Sequence, residues 1–320
     1  MITVKNLTKI YKSPIKTGSL FKDFFNREYK THQALDGISF EIGSRDLVGF
    51  IGPNGAGKTT TMKILAGILY PTSGMAKVLN YTPFDKKHEF LRQIGFVMGQ
   101  KNQLLWELPA TDTFMLNKEI YEVSDAEYKK TLTELVDLLE VSSFLNRPIK
   151  TLSLGQRMRM ELIASLIHRP KVLFLDEPTI GLDIFAQTTI VNFIKEYQKR
   201  FDSTIMLTSH YMQDVQRLAK RVILIDAGHI IYDGKLQHLI DTYSQTKTVT
   251  IVLENPNEVN TLKLPADVAV DYHFPQLKLR MKKEHIEKFL HIVLEKVDYV
   301  DMTIENEPLE EVVKKTFAEK

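Results

Sequence analysis

Nothing in this chain restricts its fold more than "GPNGAGKTT", Gly52–Thr60. The spacing G-x-x-x-x-G-K-[ST] is that of a loop whose successive backbone N–H groups wrap a phosphate. Such a loop works only where a strand delivers it and a helix carries it away. The flanks agree, because "DLVGFI" before it is a continuous apolar run and a helical pattern follows. A strand that is apolar throughout has both faces covered, which points to a parallel sheet with helices on each side. In this reading Gly52, Pro53, Asn54, Gly55, Ala56, Gly57, Lys58, Thr59 and Thr60 form the cradle. Lys58 reaches the β and γ oxygens, and the Thr59 hydroxyl ligates Mg²⁺.

The remaining pattern fits that frame. "KVLFLDEP" and "STIMLTSH" are further buried strands, each ending in polar chemistry, and "RVILIDAGHIIYDG" reads as a hairpin around Ala227-Gly228. "ITVKNL" and "LDGISFEI" alternate as half-buried antiparallel strands do. From Pro109 to Arg147 the spacing of Leu132, Leu135, Leu138 and Leu139 is helical. After about Leu239 the texture changes to alternating stretches ("TVTIVLE", "QLKLRMK", "YVDMTIE") with two helical ones, enough for a separate α+β domain. The expected division is 1–240 and 241–320, and 320 residues suffice for one large core and a second small one.

Composition removes several classes. No cysteine means no disulfide framework and no thiolate metal site. A net charge of +2 makes no case for a nucleic-acid partner. The N-terminus lacks the apolar core of a signal peptide. No apolar run approaches the ~18 residues of a membrane span, so any work at a membrane goes through partners.

Asp176 and Glu177 close a buried strand, where open α/β sheets place their ligands. Asp176 suits a carboxylate holding Mg²⁺, and Glu177 suits a general base that polarises water. His210 ends the next apolar strand, expected beside that of Asp176; Gln100, after "IGFVMG", could reach metal or water. "TLSLGQRMRM" adds a puzzle. Ser153 is a good helix N-cap and Gly155 permits close approach, so this is a second helix terminus suited to an anion in a domain that already has one.

Taken in order, the phosphate loop, Gln100, Ser153-Leu154-Gly155-Gln156, Asp176-Glu177, Gly181-Leu182-Asp183 and His210 resemble the ATP-binding cassette family over about residues 1–240. More narrowly, "GQKNQLLWELPATD", "LSLGQRMRMEL", "EPTIGLD" and "TSHYMQDV" look like the ATPase subunits of type-2 exporters, closest to a branch of viologen and drug efflux systems. The resemblance implies a P-loop cassette with a parallel core sheet, an antiparallel β subdomain and a helical subdomain at about 100–165. It implies an ATPase using ATP and Mg²⁺ at the cytoplasmic face of the cell membrane, bound to separately encoded transmembrane permease subunits. It also implies a solution to the puzzle. Such cassettes pair head to tail, so that Ser153, Gly155 and Gln156 of one copy face the γ-phosphate held by Lys58 of another, with Asp183 across the same seam. Adenine would stack on Tyr11, with Phe21 or Tyr29 as substitutes. The family's commonest signature has glycine where this chain has Leu154, a change that narrows backbone freedom but leaves the serine and the N–H groups.

Between the first two strands lies an insertion, Lys12–Gln33, in which Leu20, Phe21, Phe24 and Phe25 would line one face of a short helix with basic neighbours. That suits a lipid headgroup surface, a permease groove, or packing on its own domain. Polysaccharide-exporting cassettes carry a similar insertion, which makes a glycan exporter the alternative. A soluble cassette acting on ribosomes or DNA is disfavoured, since neither a second cassette nor a long coiled coil is present.

Overall fold

The computed structural model describes residues 1–15, 29–99, 101–256, 268–296 and 298–318. The chain divides into two compact units, Met1–Gly234 and Lys235–Lys320. The first is α/β. Its strands are β1 (Ile2–Pro14), β2 (Tyr29–Ile42), β3 (Leu47–Ile51), β4 (Ser73–Val78), β5 (Ile94–Met98), β6 (Val172–Asp176), β7 (Thr204–Thr208), β8 (Arg221–Asp226) and β9 (His229–Lys235).

The central sheet has the order β5-β6-β7-β3-β8-β9, with parallel pairing from β5 through β8. Every residue of β3, β6 and β7 is buried, as their unbroken apolar runs require. Phe50, Phe174 and Met206 are fully buried in one core cluster, each side chain contributing about 1.5–3 kcal/mol by leaving water. The parallel register pairs Asp176 with Thr208 and Met98 with Asp176, so these strands finish level and present their last residues side by side. β8 and β9 turn on Ala227 (φ 45°) and Gly228 (φ 82°), the left-handed pair of a tight hairpin.

β2, β1 and β4 form a separate antiparallel sheet. Here the sequence expectation needs correction. β1 runs through Tyr11 to Pro14, and β2 already starts at Tyr29, with Tyr11 opposite His32 and Pro14 opposite Tyr29. Both arms of the expected 12–33 insertion are therefore ladder, because backbone pairing continues past the last buried apolar residue and needs no alternation to do so. The helix expected over Leu20, Phe21, Phe24 and Phe25 lies outside the described residues.

The helical part consists of Ala110–Ile120, Asp125–Leu139 and Leu154–Leu166. Ser124 starts the second of these by accepting from the Glu127 N–H, a cap that breaks the apparently continuous pattern.

The second unit begins before the expected boundary of 240/241. β9 ends at Lys235, and helix Leu236–Tyr243 packs with the terminal helix Leu309–Ala318. Its sheet, β11 (Ala269–His273), β12 (Gln276–Lys282), β10 (Thr246–Leu253) and β13 (Tyr299–Asn306), is wholly antiparallel in that order. Val249, Ile251, Leu277 and Leu279 face Phe289 and Val293 of helix Ile286–Lys296 in a core of their own.

Candidate active site

The phosphate loop leaves β3 and enters helix Lys58–Leu65 through Gly57, whose φ of 110° is open to glycine but strained for other residues. A Cβ there would also stand 2.6 Å from the Ala34 carbonyl oxygen. No side chain caps this helix, and its first turn carries no acid. Its leading N–H groups and positive dipole end therefore face the loop. Lys58 is buried, and its Nζ donates to the carbonyl oxygens of Gly52 (2.7 Å) and Pro53 (3.0 Å). Burial lowers the Lys58 pKa, while Glu177 and Asp176 oppose that shift.

The strand ends supply the acids. Asp176 accepts from the Thr59 hydroxyl at 2.8 Å and from the Thr208 hydroxyl at 2.7 Å. A hydroxyl and a carboxylate beside a phosphate loop are hard oxygen donors of the kind Mg²⁺ takes together with phosphate oxygens. Glu177 turns the chain out of β6 in a left-handed conformation, φ 56°, which costs about 1–2 kcal/mol for a residue with a Cβ. It is held there because its N–H donates to the carbonyl (3.2 Å) and hydroxyl (3.1 Å) of Thr208. The His210 Nε2 lies 2.8 Å from Glu177 Oε1. Base candidate and histidine are thus brought together, as neighbouring strands implied; Gln100 lies outside the described residues.

A cavity of about 200 Å³ lies over the loop, lined by Tyr11, His32, Asn54, Lys58, Thr59 and Glu177 among others. Tyr11 sits within β1 rather than after it, and its hydroxyl is 3.3 Å from Thr60 Oγ1. Tyr29 is at the far end of the ladder and does not line the cavity.

Ser153, Gly155, Gln156 and Asp183 do not line this cavity either. Ser153 caps helix Leu154–Leu166 in a complete capping box: its Oγ accepts from Gln156 N at 3.2 Å, and Gln156 Oε1 accepts from Ser153 N at 3.0 Å. Gly155 answers to packing, since a Cβ there would stand 2.6 Å from Ala186 Cβ. Asp183 caps helix Ile184–Phe201, accepting from the N–H groups of Phe185 and Ala186. Directly after it, Ile184 and Phe185 are 72% and 82% exposed.

Two supports escaped the sequence reading. Thr208 fixes Asp176 and the Glu177 N–H at once. Buried Asp214 accepts from the Thr179 hydroxyl (2.7 Å) and from Gln187 Nε2 (2.9 Å), tying the loop after Glu177 to the helix after His210. Both lie in the stretch "TSHYMQDV" noted above, whose resemblance pointed to His210 and gave these two no role.

Comparison with known proteins agrees with this geometry. A family described as ABC transporter matches residues 35–180. The chain is 31% identical over 218 residues to the ABC transporter ATP-binding protein NatA of Bacillus subtilis, covering 68% of this chain and 88% of that one. It is 29% identical over 273 residues to the linearmycin resistance ATP-binding protein LnrL of the same species, covering 84% and 86%. A dimeric ATP-binding cassette solved in a post-hydrolysis state with ADP and Pi superposes with a TM-score of 0.63 at 25% identity, covering 74% of this chain and 99% of that one. With the phosphate loop, the paired acids and the parallel sheet in place, this chain belongs to the ATP-binding proteins of the ABC transporter family and is an ATPase.

Proposed function

We propose that the chain powers export: two copies close head to tail around ATP and drive separately encoded permease subunits at the cytoplasmic face of a membrane. The observation that carries this reading is the separation just described. Within one copy, the Ser153-capped helix end lies outside the cavity over the phosphate loop, yet both are N-termini suited to phosphate. A second copy resolves the excess by bringing one terminus to the other's nucleotide. The exposed Ile184 and Phe185 beside Asp183 add apolar surface that such a pairing would cover. The solved relative is a dimer.

In that arrangement Lys58 and the loop N–H groups bind the phosphates. Mg²⁺, held by Thr59, Asp176 and Gln100, would neutralise phosphate charge. Glu177 orients the attacking water and takes its proton, His210 holds Glu177 in place, and Tyr11 supports adenine.

Permease docking is supported by a groove of about 470 Å³ lined by Ile68, Leu91, Ile120, Tyr121 and His168. Leu105, Trp106 and Leu108 are exposed large apolar residues in the loop that precedes helix Ala110–Ile120. No helix among the described residues is long and apolar enough to cross a membrane, so a transport role needs such partners. The drug-efflux branch is our reading of the cargo class, in line with the relative named for linearmycin resistance.

Glu177→Gln should retain ATP binding while turnover falls by roughly 10²–10⁴. The same variant should accumulate an ATP-bound dimer in light scattering. Near-normal hydrolysis, or a monomer with ATP bound, would count against the proposal.

A further inference from the structure

Glu161 sits on helix Leu154–Leu166, only 3% exposed, and belongs to none of the roles above. Its Oε1 accepts from the backbone N–H of Gln103 at 2.8 Å, in the loop that follows β5. Its Oε2 has no partner among the described residues. Burial pushes the carboxyl up to about 7, against the opposing pull of the Gln103 and Leu104 N–H groups and of Arg157 on its own helix. A residue present only to fill the core would be apolar, because a buried carboxylate with an unpaired oxygen is costly.

What Glu161 touches gives the alternative. The same loop is fixed at its other side, where Gln103 Nε2 donates to the Phe96 carbonyl of β5 at 3.0 Å. Asn102 closes a local ring with Leu104, each pairing through 3.2 Å bonds. Further along, the Arg157 guanidinium stands 5.6 Å from the Trp106 ring centre, and Lys150 pairs with Glu107. The Leu108 carbonyl accepts from Ile149 N at 3.0 Å. One continuous seam thus joins the end of β5, the exposed Trp106 and Leu108, and the helix that Ser153 caps. Glu161 is its buried acid.

We propose that Glu161 is a positioning residue for hydrolysis, tying the loop 101–108 to the Ser153-capped helix so that docking surface and serine move as one piece. An oxygen acceptor serves here because a buried backbone N–H left without a partner is costly. It also holds the backbone whatever the side chains of the loop do. The inference rests on Ser153 acting at a nucleotide, as proposed above. It makes Glu161 act through Gln103, never on ATP itself.

The test compares full-length wild type with Glu161→Gln and Glu161→Met. Glutamine keeps an oxygen that can accept from Gln103 N, whereas methionine fills the space without one. In Glu161→Met the Gln103 amide should exchange with solvent about tenfold faster. Its kcat for ATP should fall about tenfold with KM within about twofold, as for a displaced rather than a missing catalytic group. Glu161→Gln should restore both readouts to near wild type. Wild-type kcat in Glu161→Met, or a matched rise in KM, overturns the proposal. So does failure of Glu161→Met to fold, which would make the residue structural. Exchange at Gln103 is read without nucleotide or a second copy, so a failed joint and a failed head-to-tail pairing give different results.

Discussion

Helix Lys58–Leu65 and helix Leu154–Leu166 both begin at a glycine-bearing turn that the sequence marks for phosphate, yet they are built in opposite ways. The first is entered through Gly57 with no side-chain cap. The second is closed by its own capping box, in which Ser153 and Gln156 already satisfy one another. An uncapped helix end has free donors and needs a ligand. A capped one is stable without any ligand and has less to offer: the Ser153 hydroxyl proton, the N–H groups not used by the box, and the dipole. The contrast explains how one chain can carry both. In the proposed pairing the loop would bind nucleotide alone, and the capped terminus would add its smaller share only when a partner brings a phosphate to it.

The largest effect expected from this contrast is a split in affinity. Lys58→Ala should weaken ATP binding by the isolated chain by about 10²-fold or more, the scale of a charged hydrogen-bonding group lost from a buried site. Ser153→Ala should leave that affinity unchanged and lower stability by about 1 kcal/mol, the ordinary loss of a cap. Titration with a fluorescent ATP analogue and thermal melts read both. Equal losses of affinity in the two variants would erase the distinction.

A smaller effect sharpens it. If Gly155 exists to admit Ala186, then Gly155→Ala should destabilise by about 1–3 kcal/mol through overpacking. The double variant Gly155→Ala/Ala186→Gly should recover most of that loss and regain ATP-driven pairing. Recovery of stability without pairing would show that Gly155 also meets the nucleotide directly.

The smallest concerns pH at the helical part. His168 stacks on Tyr121 at 3.8 Å between ring centres, and burial pushes it down to about 4. It contributes stability above its ordinary 6.5 that is lost as pH falls towards 4, since only the unfolded chain then binds the proton readily. Glu161, raised from 4.5 to about 7, acts in the opposite sense: the folded chain binds its proton first, so stability is gained as pH falls through that window. Each shift corresponds to at most about 3 kcal/mol. Relative to wild type, His168→Gln should therefore gain melting temperature between pH 7 and 4.5. A parallel pair of pH profiles would contradict it.

Much of this was legible in the sequence, and the gaps have physical causes. The phosphate loop, Asp176, Glu177 and His210 could be placed because buried parallel strands are unbroken apolar runs, and chemistry sits where those runs stop. The extension of β1 beyond Tyr11 was not legible, since an exposed ladder of backbone hydrogen bonds leaves no hydrophobic trace. β11 was missed for the same reason, with Ala269, Val270 and Asp271 all exposed. The domain boundary was misplaced because helix Leu236–Tyr243 finds its partner in Leu309–Ala318, far along the chain, which no local window sees. Thr208 and Asp214 fall within "TSHYMQDV", but that stretch assigns neither of them a task. Only side-chain geometry shows that they hold the acids and the loop in place.

Mixing two defective variants tests head-to-tail sharing most directly. Lys58→Ala lacks a competent phosphate loop, and Ser153→Arg lacks a competent capped helix end. If the two elements act in different copies, each mixed dimer contains one intact pair. ATP-dependent association and part of the wild-type turnover should then return on mixing, although neither variant shows them alone. If loop and capped helix serve the same nucleotide within one chain, every copy in the mixture is defective and nothing returns.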